Sequence, residues 1–246
     1  MANIYIYISA RKSKGRILVF LDDDDTFSKY KLARILKIFN VYKVGFYHNE
    51  MENKNKFISI DENLGYRLNY SNLSNIHKIH VSSNLSSIAI LKNIVIKHKK
   101  SLVNLKTDQD LFMEIVSILD KVDFYEDKNR LTFYRIHGNN TTAFNTGFKD
   151  YHELIELPTL NYLLEIIERK NNKIAMLLLK QVCLFSTIDA DIKLCVPKIK
   201  IICDVLKNLN IKFFFDKTSL KKFGFVILYL LGSKLPYRRL TQPYKR

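Results

Sequence analysis

Five consecutive apolar residues, Ile17-Leu18-Val19-Phe20-Leu21, run straight into four consecutive aspartates, Asp22 to Asp25. No other feature limits the fold as tightly. A continuous apolar run, introduced here by Gly15, predicts a strand buried on both faces, as in sheets that carry helices on both sides. The strand has to stop where the carboxylates begin. From Ser28 to Phe39 the apolar residues recur at helical spacing, which predicts a helix. Strand, acidic loop and helix form the first unit and place the chain in the α/β class.

The same reading extends downstream. Residues 4–8 (Ile-Tyr-Ile-Tyr-Ile) alternate as a strand does, Val44 to Tyr47 reads as a short strand, and residues 49–75 read as a loop or weak hairpin. Lys78 to Ser82 is expected to be a strand and Ser86 to Lys97 a helix. Asp108 to Leu119 carries Leu111, Phe112, Ile115, Val116 and Leu119 on one stripe and predicts a helix. Phe124-Tyr125 and Leu131 to Ile136 read as strand pieces separated by a turn at Glu126-Asp127-Lys128-Asn129. From about Tyr151 the pattern changes to long apolar-periodic segments (160–168, 174–185 and 199–209) with few turn signals. A boundary near residue 150 is expected to separate an α/β part, 1–150, from a helical region, 151–246.

Composition narrows the classes of function. With 246 residues and 47% hydrophobic content the chain can build a sizeable core. Its 40 Lys+Arg against 24 Asp+Glu give a formal charge of +16, which calls for a polyanionic partner: nucleic acid, a nucleotide diphosphate or anionic lipid. The cysteines, Cys183, Cys195 and Cys203, are odd in number and lack a CxxC spacing, which excludes a disulfide framework and a cysteine-cluster zinc site. This usage reads as a reducing, cytoplasmic compartment. No apolar run reaches the roughly 20 residues of a membrane-spanning helix. The longest, Phe223 to Gly232, is flanked by Lys221, Lys222, Lys234, Arg238 and Arg239 and suits a membrane surface better than a span.

Adjacent carboxylates repel one another unless a cation or strong donors compensate. Asp22 and Asp24, two apart at a strand end, can reach one Mg²⁺ or Mn²⁺ together, an ion that takes oxygen ligands and substrate phosphate. The competing reading is a solvated acidic turn that caps the following helix. The strand-end position favours a ligand site, because α/β sheets bind ligands at the carboxyl ends of their strands.

Two families begin with this shape. Asp22-Asp23-Asp24-Asp25-Thr26 resembles the Asp-x-Asp-x-Thr motif of haloacid dehalogenase-like phosphatases, with Val81-Ser82-Ser83-Asn84 in the place of their second motif. That resemblance implies Asp22 as nucleophile and Asp24 as general acid/base. A longer stretch resembles family 2, GT-A-fold glycosyltransferases. Lys14-Gly15-Arg16-Ile17-Leu18-Val19-Phe20-Leu21-Asp22-Asp23-Asp24-Asp25 with Lys31-Leu32 is similar to their strand and metal loop. Thr107-Asp108-Gln109-Asp110-Leu111-Phe112 is similar to their acidic helix start, and Phe133-Tyr134-Arg135-Ile136-His137 with Gly138 to Thr142 to their "YR-x-H" segment.

The second resemblance implies a partial, Rossmann-like GT-A domain with a mixed sheet, followed by the helical C-terminal region. It implies inverting transfer of a sugar from a nucleoside-diphosphate sugar to an acceptor hydroxyl of a glycan or lipid-linked molecule, dependent on Mn²⁺ or Mg²⁺. Asp22 and Asp24, with Asp25 beside them, match the metal motif, and Asp22 would also contact the donor. Asp108 matches the general base, and Asp110 is the second choice for that role. As a helix N-cap, Asp108 has an ordinary structural alternative. Arg135 would bind phosphate, and His137 matches a residue near the metal or diphosphate. His48, His77, His80, His98 and His152 read as ordinary hydrogen-bonded residues.

Members of that family place several tens of residues of nucleotide-binding structure before the acidic loop, which here begins at Asp22. The sequence is therefore expected to be shortened at its N-terminus, to leave an unpaired sheet edge, and to need a complement for turnover. After Asp216 there is no acidic residue, while Lys217, Lys245 and Arg246 add to the cations already named. The tail fits attachment to an anionic membrane on its cytoplasmic face, or a plain amphipathic helix with a solvated basic end. A nucleic-acid-binding protein is the non-enzymatic alternative, although no helix-turn-helix, ribonucleoprotein or zinc signature is present.

Overall fold

A computed structural model describes residues 2–52, 60–70, 84–135, 157–176, 178–180, 182–183 and 227. The expected strand at 78–82, the boundary near 150, His77, His80, His137, His152, Cys195, Cys203 and the basic tail lie outside the described residues, as do 81–83 of the second phosphatase motif.

The elements in chain order are α1 (Ala2–Lys12), β1 (Ile17–Val19), β2 (Thr26–Phe27), α2 (Lys31–Tyr42), β3 (Phe46–Glu52), β4 (Gly65–Leu68), β5 (Ile88–Leu91), α3 (Lys92–Lys97), α4 (Lys99–Asn104), α5 (Gln109–Leu119), β6 (Phe124–Phe133) and α6 (Leu157–Lys170). A 3₁₀ turn, Leu85–Ser87, leads into β5 and is capped by the Asn84 side chain. The architecture is mixed α/β. Five strands lie in the order β1-β5-β3-β6-β2, with β4 paired to β6 off that path. β5 runs antiparallel to both β1 and β3, and β3 is parallel to β6. β1, β3 and β6 therefore point the same way, and the acidic loop leaves β1 at the end of the sheet where β3 and β6 also finish.

Period-two alternation sorts the sheet residues between two cores. Phe46, Ile88, Ile90 and Phe124 face a core that includes Val95 of α3, Leu102 of α4, Phe112, Ile115 and Val116 of α5, and Leu163 and Ile167 of α6. Tyr47, Ala89 and Tyr125 face the other side, where α2 supplies Ile35, Ile38 and Phe39. Gly45, just before β3, marks where the chain passes close to the β6 approach: an added Cβ would lie 2.5 Å from the Val122 Cβ.

Several expectations are corrected. Residues 4–8 belong to helix α1, because Ile6 and Tyr7 pack against the main core from a helical backbone. The apolar run after Gly15 forms only a three-residue strand at the sheet edge, with Leu18 buried and Leu21 54% exposed, rather than a strand buried on both faces. Ser86 to Lys97 divides into the end of the 3₁₀ turn, a buried strand and a short helix. The segment 124–133 is one unbroken ten-residue strand, and no turn interrupts it at Glu126 to Asn129. Within 49–75, β3 continues to Glu52 and β4 forms a second strand. The helices expected at 28–39, 108–119 and 160–168 are present as α2, α5 and α6. Among the described residues no helix is long and apolar enough to cross a membrane.

Candidate functional site

The acidic loop closes as a turn, with the Asp25 N–H donating to the Asp22 carbonyl at 3.2 Å. Its four carboxylates face different surroundings. Asp22 is half-buried, and its N–H donates to the Ser86 hydroxyl at 2.9 Å. Burial holds its carboxyl above the usual range, the charges of Asp25, Asp24 and Asp23 add to that, and a hydrogen bond with Ser86 draws it back. Asp23 is exposed and Asp24 half-buried.

Asp25 is only 5% exposed. One of its oxygens accepts the Arg135 backbone N–H at 3.2 Å, the other the Asn84 side-chain amide at 3.3 Å. It thereby ties the acidic loop to the end of β6 and to the turn before β5. Close by, the buried Lys31 ammonium donates to the Ser86 carbonyl and to the Thr132 hydroxyl (2.7 Å), and lies 4.0 Å from the centre of the Phe27 ring. Burial lowers Lys31 to about 7, against the opposing pull of Asp25. Asn49 completes this polar seam through the Thr132 hydroxyl at 3.0 Å.

The start of α5 reaches the same region from the opposite face. Asp108 occupies the N-cap position in a left-handed conformation (φ 57°, ψ 45°), which Asp tolerates better than most residues. Its side chain makes no capping hydrogen bond, so the N-cap alternative holds for its position alone. Two residues on, Asp110 is raised to about 6, chiefly by burial and in part by Asp22, against the opposing backbone N–H groups of Leu111 and Asp110 and the charge of His48. Asp110 thus feels the charges of both Asp22 and His48, which come from two other segments of the chain.

His48, read as an ordinary hydrogen-bonded residue, is one, whereas Glu126, read as part of a turn, lies in strand β6. They sit opposite each other on parallel strands, 2% and 1% exposed, with Nδ1 of His48 2.9 Å from Oε2 of Glu126. The site therefore has a buried His–Glu pair beneath it. The available sequence signal was a strand with polar residues on its core-facing side, at His48 and Glu126, where alternation calls for apolar ones. Arg135 is exposed just beyond β6.

The groups available to a cation at this end are carboxylate, hydroxyl and amide oxygens with one imidazole, which suits a hard cation. Among the described residues no three His, Cys, Asp or Glu converge to hold a metal ion. A cation bridging Asp22 and Asp24 would have to take its remaining ligands from phosphate and water. Compared with family models and with curated proteins, the chain matches none.

Proposed function

We propose that the protein is an inverting, metal-dependent glycosyltransferase that moves a sugar from a nucleoside-diphosphate sugar to an acceptor hydroxyl, on a partial GT-A-like scaffold. What supports this reading is the acidic loop itself, four carboxylates leaving β1 at the end of the sheet where β3 and β6 finish, buried and crowded enough to hold Asp22 above its usual range, with Asp110 close enough to feel the Asp22 charge. These two residues belong to two of the three sequence blocks that carry the family resemblance.

In this reading Asp22 and Asp24 hold Mn²⁺ or Mg²⁺, which neutralises the departing diphosphate. The crowding of like charge around Asp22 is the feature such a cation relieves. A group poised near neutral pH is the most effective proton acceptor. Asp108, which matches the general base, and Asp110, held at about 6, both stand at the start of α5 as candidates for that task. His48, hydrogen-bonded to Glu126, opposes the rise of Asp110. Arg135 is available to the phosphates. The acceptor is a glycan or a lipid-linked sugar at the cytoplasmic face of the cell membrane.

Calorimetric titration of the full chain with UDP and GDP, with and without Mn²⁺, tests the donor site. Metal-dependent binding that is lost in Asp24→Asn is the expected result. A folded sample that binds neither nucleotide with Mn²⁺ overturns the reading, and phosphomonoester hydrolysis that depends on Asp22 would replace it with the phosphatase alternative.

A further inference from the structure

Helices α1 and α4 enclose an open groove of about 430 Å³ lined by Ile4, Tyr7, Ile8, Lys99, Lys100 and Val103. Its apolar wall is unusually exposed: Ile4 43%, Ile8 38% and Val103 41%, with Tyr5 beside them at 63%. Helical spacing explains the arrangement. Ile6 and Tyr7 turn inward against the core, while Ile4, Ile8 and the basic pair Arg11-Lys12 follow one another along the outer stripe of α1. On α4, Lys99, Lys100 and Val103 share the facing stripe, and the Lys99 ammonium lies 5.4 Å from the Tyr7 ring centre.

Charge decides what this surface fits. Residues 2–16 contain Arg11, Lys12, Lys14 and Arg16, and residues 92–107 contain Lys92, Lys97, Lys99, Lys100 and Lys106, with no Asp or Glu in either segment. Asp120, which reaches α3 and α4, is already engaged by Lys97 (2.7 Å) and His98 (2.9 Å). An anionic bilayer supplies both things such a surface needs, acyl chains for the aliphatic side chains and phosphates for the cations around them. Nucleic acid satisfies the cations and leaves Ile4, Ile8 and Val103 in water.

We propose that the α1–α4 face is a membrane-docking surface for anionic phospholipid, separate from the basic segment after Asp216 and independent of the donor-site reading. The chain has no Trp, so Tyr5→Trp installs a single indole, excited apart from the tyrosines, at an exposed position on this face. With vesicles of phosphatidylcholine containing about 30 mol% phosphatidylglycerol, its emission should shift to the blue, and brominated lipid should quench it. Phosphatidylcholine alone should do neither. Lys99→Gln with Lys100→Gln should weaken partitioning about 30-fold, a factor of about five per cation, and Ile4→Ser with Ile8→Ser should abolish the blue shift while the far-ultraviolet circular dichroism is retained. Three results overturn the proposal: vesicle binding by the Tyr5→Trp chain with no shift in its indole emission, loss of binding in Arg238→Gln/Arg239→Gln alone, or no response to anionic vesicles, which, if oligonucleotides bind, turns the reading to nucleic acid.

Discussion

Replacing Asp110 by Asn should make the protein more stable at neutral pH, by an amount that depends on pH. Burial and the nearby Asp22 raise the Asp110 carboxyl from 3.8 to about 6 in the folded chain. A rise of about two units, at about 1.4 kcal/mol per unit, amounts to roughly 3 kcal/mol of differential interaction. The folded value exceeds the unfolded one, so the folded protein binds more protons between the two. Its stability is therefore greatest below about pH 4, falls as pH rises through the interval, and levels off above about pH 6 with the whole difference lost. Asn cannot ionise and escapes that loss. Urea unfolding of the metal-free protein and of Asp110→Asn at pH 4, 5, 6, 7 and 8 should give a stability gap that opens by about 3 kcal/mol in favour of Asn and then stays flat. Under the proposed function, in which Asp110 is a candidate proton acceptor, the same substitution should also lower sugar transfer, as expected where a site is kept at the expense of stability. A gap that does not change with pH, or Asn less stable at pH 8 than Asp, refutes the reasoning.

Other residues offer sharp tests. Arg34 and Asp127 form a buried pair at 2.9 Å, with side chains 4% and 0% exposed, so Arg34→Met or Asp127→Leu alone should cost about 3–5 kcal/mol. The double variant should recover much of that, and a denaturant-unfolding cycle measures the difference. Gly45→Ala should destabilise by about 1–3 kcal/mol through the clash with Val122, seen as a lower midpoint with an unchanged slope. Lys31 is lowered from 10.5 to about 7, which makes its protonated form costly in the fold. Its contribution to stability therefore grows as pH rises from 7 towards 10, and that rise should be missing in Lys31→Met when the two unfolding curves are compared.

Periodicity revealed the elements whose apolar residues alone define the pattern. α2 and α5 each keep one stripe in a core, and both were readable. In α1 every second residue from Ile4 to Ile8 is Ile and the others are aromatic, so the segment satisfies strand and helix periods at once. Packing against α3 and α4 decided it. β5 is four residues long and joins α3 without a break, which hid it inside an apparent helix. β6 was concealed by its polar middle. Glu126, Asp127 and Asn129 look like a turn, yet each is buried in the strand: Glu126 on His48, Asp127 on Arg34 and Tyr47 (3.0 Å), and Asn129 on Asp127 and the carbonyls of Asp61 and Leu64. Polar residues that find their partners across the fold leave no local trace. In the candidate site, the acidic loop and the acidic start of α5 stand out in the sequence by residue type. The His48–Glu126 pair was not, because only strand pairing brings its members together.

The acidic loop hangs from β1, a three-residue strand that, among the described residues, pairs with β5 alone. Such a strand is short enough to blunt the exposed edge against other chains. It should also be among the first segments to exchange its amide hydrogens, because releasing it breaks one short ladder and leaves the β5-β3-β6 centre intact. Local opening there would carry Asp22 away from Ser86 while Asp110, His48 and Glu126 stay in place on the protected interior. The two halves of the site would then differ in kinetic lifetime, so that anything bridging Asp22 and the α5 start draws its affinity partly from closing that edge.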